Sequence, residues 1–592
     1  MTAPRTNPAL SALLIDKRLY RKRVRQQIDA EGVLRRILFL LIGAGLILFM
    51  VYPLLRMLSK SLENRAGEFV GLANYTNYFS SPATSVSLKN SLYVSLISTI
   101  ITVILAFIYA YGLTRMTLRG KPILRAVAML PIFVPSLMQA LAFIYMFGNN
   151  GLFTRTFGIN IHLYGPTGIV MSEVFYAFPH ALLILTAALA LADARLYEAA
   201  EALRASNLRI FFTVTLPAVK YGLMSAAFVV FTLAITDFGA PKVVGGDYDV
   251  LATDIYNQVV GQQNFGMGAT VSTLLLIPAM IAFVLDRIVQ RRQVAQVTAD
   301  VTPLGPKSHR PLVQTAMLIY CLLIVLFILS IYGIVIVGSF IRFWPYDYSL
   351  TLRNFTFHVA GAHRPIQVGP LELPGGFRIL WNSLRIAGLT SVIGTIVVFC
   401  SAYLIEKSRG LVWPRSVLYL LSIMPLAVPG MVLGLSYIFA FNDPHSPLNI
   451  LYGTTAILVI STILHYYTVP FLTATTALKQ LDPEFESIGE SLDAPFYRTF
   501  WRVTVPVALP AIISIAMYFF LNAMVTISAI VFLFVPGNEL AALAVMLLDD
   551  AGNSAEAMAM SLLILVMGLI VRGLFYLLTR GVSQRTQAWT QR

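Results

Sequence analysis

Six side chains able to ionise or hydrogen-bond fall inside, or at the ends of, long apolar runs: Glu173 and His180 in one, Asp237 in a second, and Asn522, Thr526 and Ser528 in a third. Such groups are costly in hydrocarbon, and those that persist commonly line a pathway. Each also has a structural reading. Asp237 can cap a helix end, His180 can pack between helices, and Glu173 can sit in the interfacial zone. The chemistry on offer is binding and passage, not bond-making. There is no GxxxxGK[ST] phosphate loop, no HExxH and no Cys/His cluster to hold a metal. Cys321 and Cys400 lie inside apolar runs, without metal or disulfide spacing, and read as small buried hydrophobes.

The elements that must position these residues follow from composition. The chain has 592 residues, 57% hydrophobic and 12% charged, with a mean hydropathy of +0.75. Soluble domains carry about 25% charged residues, so a water-soluble protein of this length is excluded. A net charge of +15 could suggest nucleic acid. However, the basic residues flank apolar segments and form no patch with interleaved aromatics. The expected surroundings are a lipid bilayer, with no nucleic acid.

Twelve apolar segments can be drawn, at about 34–58, 89–113, 122–147, 166–192, 211–238, 267–288, 313–340, 379–405, 417–442, 451–478, 503–534 and 555–579. Hydrocarbon admits only helices and closed barrels. These runs are too long and too uniformly apolar for barrel strands, so the fold class is all-α integral membrane. The polar, basic segment 1–36 precedes the first run with no small-residue cleavage site after it, which reads as a retained anchor.

Arg and Lys cluster in segment 1–36, after the second span (Arg115, Arg119, Lys121, Arg125), after the fourth (Arg195, Arg204, Arg209) and after the sixth (Arg287, Arg291, Arg292). The second half repeats this with Lys407, Arg409 and Arg415, then Lys479, Arg498 and Arg502, then Arg572, Arg580 and Arg585. These ends are expected in the cytoplasm, with both termini inside. The long loop 342–377 is expected on the exterior.

The halves repeat. NSLYVSLISTIITVILAFIYAYGL from Asn90 matches NSLRIAGLTSVIGTIVVFCSAYLI from Asn382. MLPIFVPSLMQALAFIYMF matches IMPLAVPGMVLGLSYIFAF, setting Pro131 and Pro135 on Pro425 and Pro429; a further block sets Pro179 on Pro470. Kinks at these prolines serve packing or shape a pathway. The expected organisation is a tail (1–36), a first repeat (37–290), a polar linker (291–312), a second repeat (313–580) and a tail (581–592). Six spans per half imply pseudo-two-fold symmetry about the membrane normal, with a pathway between the halves.

One repeated segment is not apolar. DARLYEAAEALRASNLRIFFTVTLP from Asp193 matches DPEFESIGESLDAPFYRTFWRVTVP from Asp482. Leu196, Ala199, Ala200 and Leu203 recur at three- and four-residue spacing, with Glu198, Glu201 and Arg204 between them. That pattern predicts a short amphipathic helix lying across the cytoplasmic face. A soluble partner gripping it could swing the two spans it joins.

This segment resembles the EAA loop of binding-protein-dependent ABC importer permeases. Glu198-Ala199-Ala200 and Leu216-Pro217 match that pattern, and Arg204 stands at its glycine. In the second copy Ser487-Ile488-Gly489 replaces Glu-Ala-Ala and Asp493 replaces the glycine, while Asp482-Pro483, Leu492, Ala494 and Val505-Pro506 match. The resemblance covers nearly the whole chain. It implies a type I importer permease of about twelve spans in two pseudo-symmetric halves, in a bacterial inner membrane. The coupling surfaces it implies comprise Glu198, Ala199, Ala200, Glu201, Leu203, Arg204 and Ala205, and Glu490, Leu492, Asp493 and Ala494. It further implies two copies of a separate ATPase subunit that bind ATP and Mg, and a periplasmic or lipid-anchored binding protein. The chain itself would carry no cofactor and perform no bond chemistry.

The fused two-repeat form resembles permeases for ferric iron, 2-aminoethylphosphonate and polyamines. The run TDFGAPKVVGGDYDVLATDIYNQVVGQQNFGMGA from Thr236 looks most like 2-aminoethylphosphonate permeases, with ferric iron the alternative; no Tyr/His/carboxylate cluster marking an iron site is evident in the sequence. A gradient-driven secondary transporter would also show a six-plus-six repeat, but gives no reason for a duplicated EAA-like helix. A lipid-modifying membrane enzyme would need a catalytic cluster near one interface, and none can be assembled.

Overall fold

The computed structural model describes residues 30–296, 305, 311–357, 366–368, 371–373, 375–408, 412–482, 484–492 and 494–586. Most of segment 1–36, most of the linker and Asp493 lie outside them. In chain order the first half contains α1 (Glu31–Lys60), α2 (Thr84–Arg115), α3 (Lys121–Phe133), α4 (Ser136–Phe157) and α5 (Pro166–Ala190). The short α6 (Ala194–Ala202) follows, then α7 (Asn207–Thr236), the short α8 (Gly239–Val244) and α9 (Leu251–Tyr256), and α10 (Phe265–Arg292).

The second half opens with α11 (Pro311–Phe340) and two small antiparallel hairpins, β1 (Ile341–Phe343) with β2 (Asp347–Leu350) and β3 (Ile366–Val368) with β4 (Leu371–Leu373). It continues with α12 (Gly376–Lys407), α13 (Val412–Ala427), α14 (Gly430–Phe441), α15 (Thr455–His465) and α16 (Thr468–Lys479). Next come α17 (Glu484–Ser491), α18 (Phe496–Val507) and α19 (Leu509–Val525), α20 (Ala541–Asp550) and α21 (Ser554–Thr579).

Eight of these helices are long and apolar enough to cross a membrane alone, and counting each bent pair as one span gives twelve. The paired prolines explain two of the bends. A residue before proline is driven to extended backbone, and Val134 and Val428, preceding Pro135 and Pro429, are extended. The chain turns there by 106° between α3 and α4, and by 112° between α13 and α14. Gln139 Nε2 donates to the carbonyls of Pro131 and Val134 at 2.9 and 3.3 Å, satisfying groups the first bend exposes.

The symmetry is imperfect. Pro179 is carried inside the continuous α5, whereas α15 and α16 meet at 58° just before its counterpart Pro470. Pro510 breaks α18 from α19 at 77°, where α7 runs straight. The apolar segment expected to be helical over 503–534 therefore ends as α19 at Val525, and 526–534 is turn and extended chain. The buried short helices α8, α9 and α20 are too short to register as spans.

The repeated Asn-Ser pairs have a positional role. Ser91 Oγ accepts from Leu251 N at 2.7 Å, and Ser383 Oγ accepts from Ala541 N at 2.6 Å. Asn90 donates to the Asp249 carbonyl, and Asn382 to that of Gly537. Each pair thus satisfies the first turn of an inner helix, α9 or α20, which lacks intrahelical partners.

The first helix of each half leans on the other half. Phe49 of α1 stacks on Phe441 of α14 at 5.9 Å, and Tyr437 donates to the Phe49 carbonyl at 2.7 Å. Reciprocally, Phe327 of α11 packs on Phe143 and Phe175 of the first half, and Tyr320 donates to the Leu105 carbonyl. On the face opposite α6, Arg155 donates to the Pro345 carbonyl at 2.7 Å, joining the first half to the β1–β2 turn.

Candidate functional site

Both polar repeats fold as short helices between long ones. Asp193 caps α6 by accepting from Arg195 N at 3.0 Å. The helix is held from beneath by Tyr197, which is buried beside Ala194. Its hydroxyl donates to Thr215 of α7 at 3.1 Å, and the Arg115 guanidinium lies 5.2 Å from its ring. Arg115, at the end of α2, also donates to the Leu189 carbonyl of α5 at 2.6 Å. One tyrosine therefore ties α6 to three spans.

The expected apolar stripe faces the other way. Leu196 and Leu203 are exposed, Leu203 by 84%; Glu198, Ala199, Glu201 and Arg204 are also exposed, with Ala200 and Ala205 half-buried. In the second copy Ile488 is exposed and Leu492, the counterpart of Leu203, is 74% exposed; Ala494 is half-buried. The backbone of Glu490 is in α17, and Asp493 lies outside the described residues. Arg204 has φ 56°, a left-handed conformation, which explains why glycine suits that position. Ala205 N donates to the Ala200 carbonyl at 3.0 Å, and Ala494 N to that of Gly489 at 2.9 Å, so both turns close alike. Past each turn a wide π-helical stretch, Phe211–Thr215 or Phe500–Thr504, leads into Leu216-Pro217 or Val505-Pro506.

The second group of predicted residues converges between the halves. Glu173, on α5, is fully buried and its carboxyl lies against that of Asp237. Asp237 caps α8: its Oδ1 accepts from Ser136 Oγ at 2.7 Å and its Oδ2 from Ala240 N at 2.9 Å. Tyr176 lies within electrostatic reach of both acids and of Tyr466 and Tyr518 of the second half. Thr526, the counterpart of Asp237, has the same backbone angles, φ −69° and ψ 137°, and stands beside the Tyr466 hydroxyl. Tyr176, His180, Asp237, Tyr466 and Tyr518 are half-buried.

Two predicted residues stand apart. Asn522 donates within α19 to the Tyr518 carbonyl at 2.8 Å. Ser528 fills the space over Gly430: a Cβ built on that glycine would lie 2.2 Å from Ser528 Oγ. Conversely, a Cβ on Gly239 would lie 2.5 Å from Ser136 Oγ. The crossing therefore holds one serine and one glycine in each half, exchanged between the two strands of chain. The tyrosines escape notice in sequence because each sits among apolar neighbours on a different helix. Among the described residues no group of three or more His, Cys, Asp or Glu side chains is placed to hold a metal.

On the side away from α6 the two halves meet. Phe238, Ala240, Ile530 and Val531 are buried. Tyr256 stacks on Phe532 across the halves at 6.3 Å, and Lys242 pairs with Asp550 of α20 at 3.2 Å.

The model of the binding-protein-dependent transport system inner membrane component matches twice, over residues 99–294 and 402–584. The chain belongs to this family. This permease contains two copies of the unit in one polypeptide, each including one polar repeat and its adjoining spans. A ferric transport system permease protein, FbpB, of Actinobacillus pleuropneumoniae is 30% identical over 501 residues, covering 82% of this chain and 70% of that protein. A putative ferric transport system permease protein of Haemophilus influenzae, FbpB 1, is 30% identical over 463 residues, covering 75% of this chain and 70% of its own length. The spermidine/putrescine transport system permease protein PotB of Haemophilus influenzae is 28% identical over 268 residues, 43% of this chain and 93% of its own. The permease is thus a multi-pass membrane protein of a binding-protein-dependent ABC importer.

Proposed function

We propose that this permease carries ferric iron across the inner membrane, with both termini in the cytoplasm. The observation that carries this reading is its likeness, over most of its length, to two proteins described as ferric permeases. The α6 and α17 helices are coupling helices, one for each of two copies of an ATPase subunit that binds ATP and Mg. What supports this is their exposed leucines, Leu203 and Leu492, at equivalent positions of both halves. An apolar side chain left in water at both sites is stabilised by a partner's groove. A binding protein delivers cargo to the opposite face, where the β1–β2 hairpin lies. Glu173, His180, Asp237 and Thr526 line the pathway, with Asn522 and Ser528 shaping its wall. Rocking of the halves, driven through α6 and α17, alternates access.

The second reading is 2-aminoethylphosphonate, which rests on the run from Thr236. Deleting the gene in its host and measuring both uptakes separates them. Loss of radioactive ferric-iron uptake, with growth on 2-aminoethylphosphonate intact, supports iron; the reverse result refutes it.

A further inference from the structure

Among the described residues of the first half, Glu173, Asp254 and Asp286 are buried and Asp237 is half-buried; all but Glu173 accept hydrogen bonds from donor groups of the protein. Asp254 accepts from Ser87 at 2.9 Å and Gln258 at 3.3 Å. Asp286 accepts from Ser225 at 2.6 Å and Gln290 at 2.7 Å. Asp237 accepts from Ser136 and the Ala240 amide. Glu173 differs: it is fully buried, neither carboxyl oxygen accepts from a hydroxyl, amide or cationic donor, and its one close polar partner is the Asp237 carboxyl, with which it can share a proton. From the second half Thr526, 3% exposed, sets its hydroxyl beside that of Tyr466.

A buried acid that faces no donor is destabilised by ionising. Packing does not require it here, because its counterpart in the second half is Leu464 and that of Asp237 is Thr526. The two acids are therefore present on one side only, facing the tyrosines of the other.

We propose that Glu173 and Asp237, with the hydroxyl of Tyr176, form a transit site for a trivalent, oxygen-seeking cation as it passes between the halves. Hard, highly charged cations prefer anionic oxygen donors, and a cation would take the place of the proton that the two facing carboxyls otherwise share. Only two anionic ligands are fixed, and the remaining positions go to hydroxyls or water, so the ion is held and released rather than stored. Phe238, next in the chain to Asp237, packs on Tyr256, which stacks on Phe532 across the halves. The assignment rests on the ferric reading above for its cargo, but not for its geometry.

The test uses the purified full chain and terbium(III), a trivalent cation whose emission is excited through nearby tyrosine. We expect saturable, tyrosine-sensitised emission that gallium(III) displaces. Glu173→Gln should weaken terbium binding at least tenfold, while the exposed Glu68→Gln should leave it unchanged. If Glu173→Gln does not fold, Tyr176→Phe is expected to lower both affinity and sensitised intensity. Unchanged binding in these variants overturns the site. So does displacement by spermidine or 2-aminoethylphosphonate but not by gallium, which would make it an ammonium site. Iron uptake measured in parallel separates the two claims. Iron uptake that needs the chain, alongside terbium binding indifferent to Glu173, rejects the site and keeps the ferric reading. Terbium binding that needs Glu173, without any iron uptake, supports the site and rejects the cargo.

Discussion

Consider Gly430→Ala. The added Cβ would lie 2.2 Å from Ser528 Oγ, 2.9 Å from Ser528 Cβ and 3.1 Å from the Ala529 amide nitrogen. The hydroxyl could rotate away, but Cβ and the backbone cannot move without shifting the 526–534 segment. Overpacking of this kind costs about 1–3 kcal/mol. Removing the opposing side chain should recover most of it, because Ser528→Gly moves the glycine to the strand that carries it in the first half, opposite a small side chain. A double-mutant cycle in detergent, read by thermal unfolding, is the assay. Gly430→Ala should melt lower by one to a few degrees, Ser528→Gly should change little, and the pair should be non-additive by about 0.5–3 kcal/mol. The mirror cycle, Gly239→Ala with Ser136→Gly, should recover less, since Ser136 also donates to Asp237 and a hydrogen bond to a charged group contributes about 1.5–3 kcal/mol. Additive effects at 430 and 528, or equal recovery in both cycles, would refute steric exchange as the reason for the swapped residues.

Three further outcomes are expected. Leu203→Asp should weaken capture of the ATPase subunit about 10- to 100-fold, from the roughly 1.5–3 kcal/mol of burying a leucine, and Leu203→Asp with Leu492→Asp should abolish it in co-purification. Arg204→Gly should raise the melting temperature slightly, because the left-handed backbone at 204 costs a non-glycine residue about 1 kcal/mol; a lower melting temperature would show that the arginine side chain contributes more than the strain. Asp550→Asn removes the partly exposed pair with Lys242, worth about 0.2–1 kcal/mol. It should raise labelling of a cysteine placed at Phe532, with the difference from the parent shrinking at high salt.

Much of this was legible in the sequence, for reasons that differ by element. The spans read clearly because hydrocarbon forces long uniform apolar helices. The bends before Ser136 and Gly430 were marked by paired prolines, whose effect on the preceding residue is local. The Asn-Ser pairs stood out as a repeat, though what they hold is visible only in space. The α6 helix was predicted, but its orientation was not. Spacing identifies a stripe without saying whether protein or a partner covers it, and here Tyr197 anchors the helix while the leucines face outward. The break at Pro470 but not Pro179 is invisible to alignment. Glu173 and Asp237 stand out in sequence as acids in apolar runs, but that they meet, and which tyrosines join them, is hidden. The members of this cluster come from α5, α7, α15 and α19, and a tyrosine within an apolar run carries no sign of which neighbours it meets.

The reciprocal lean of α1 and α11 has a consequence for how the chain is made. Phe49 finds Tyr437 only 388 residues later, about 20 to 80 s at ordinary elongation rates of roughly 5–20 residues per second. For that interval α1 sits in the bilayer without the surface it finally occupies, so insertion and assembly are separated in time. Severing the polypeptide in its linker would leave two fragments, each missing a wall that the other supplies. Both should be short-lived when produced singly, and co-expression should rescue them together.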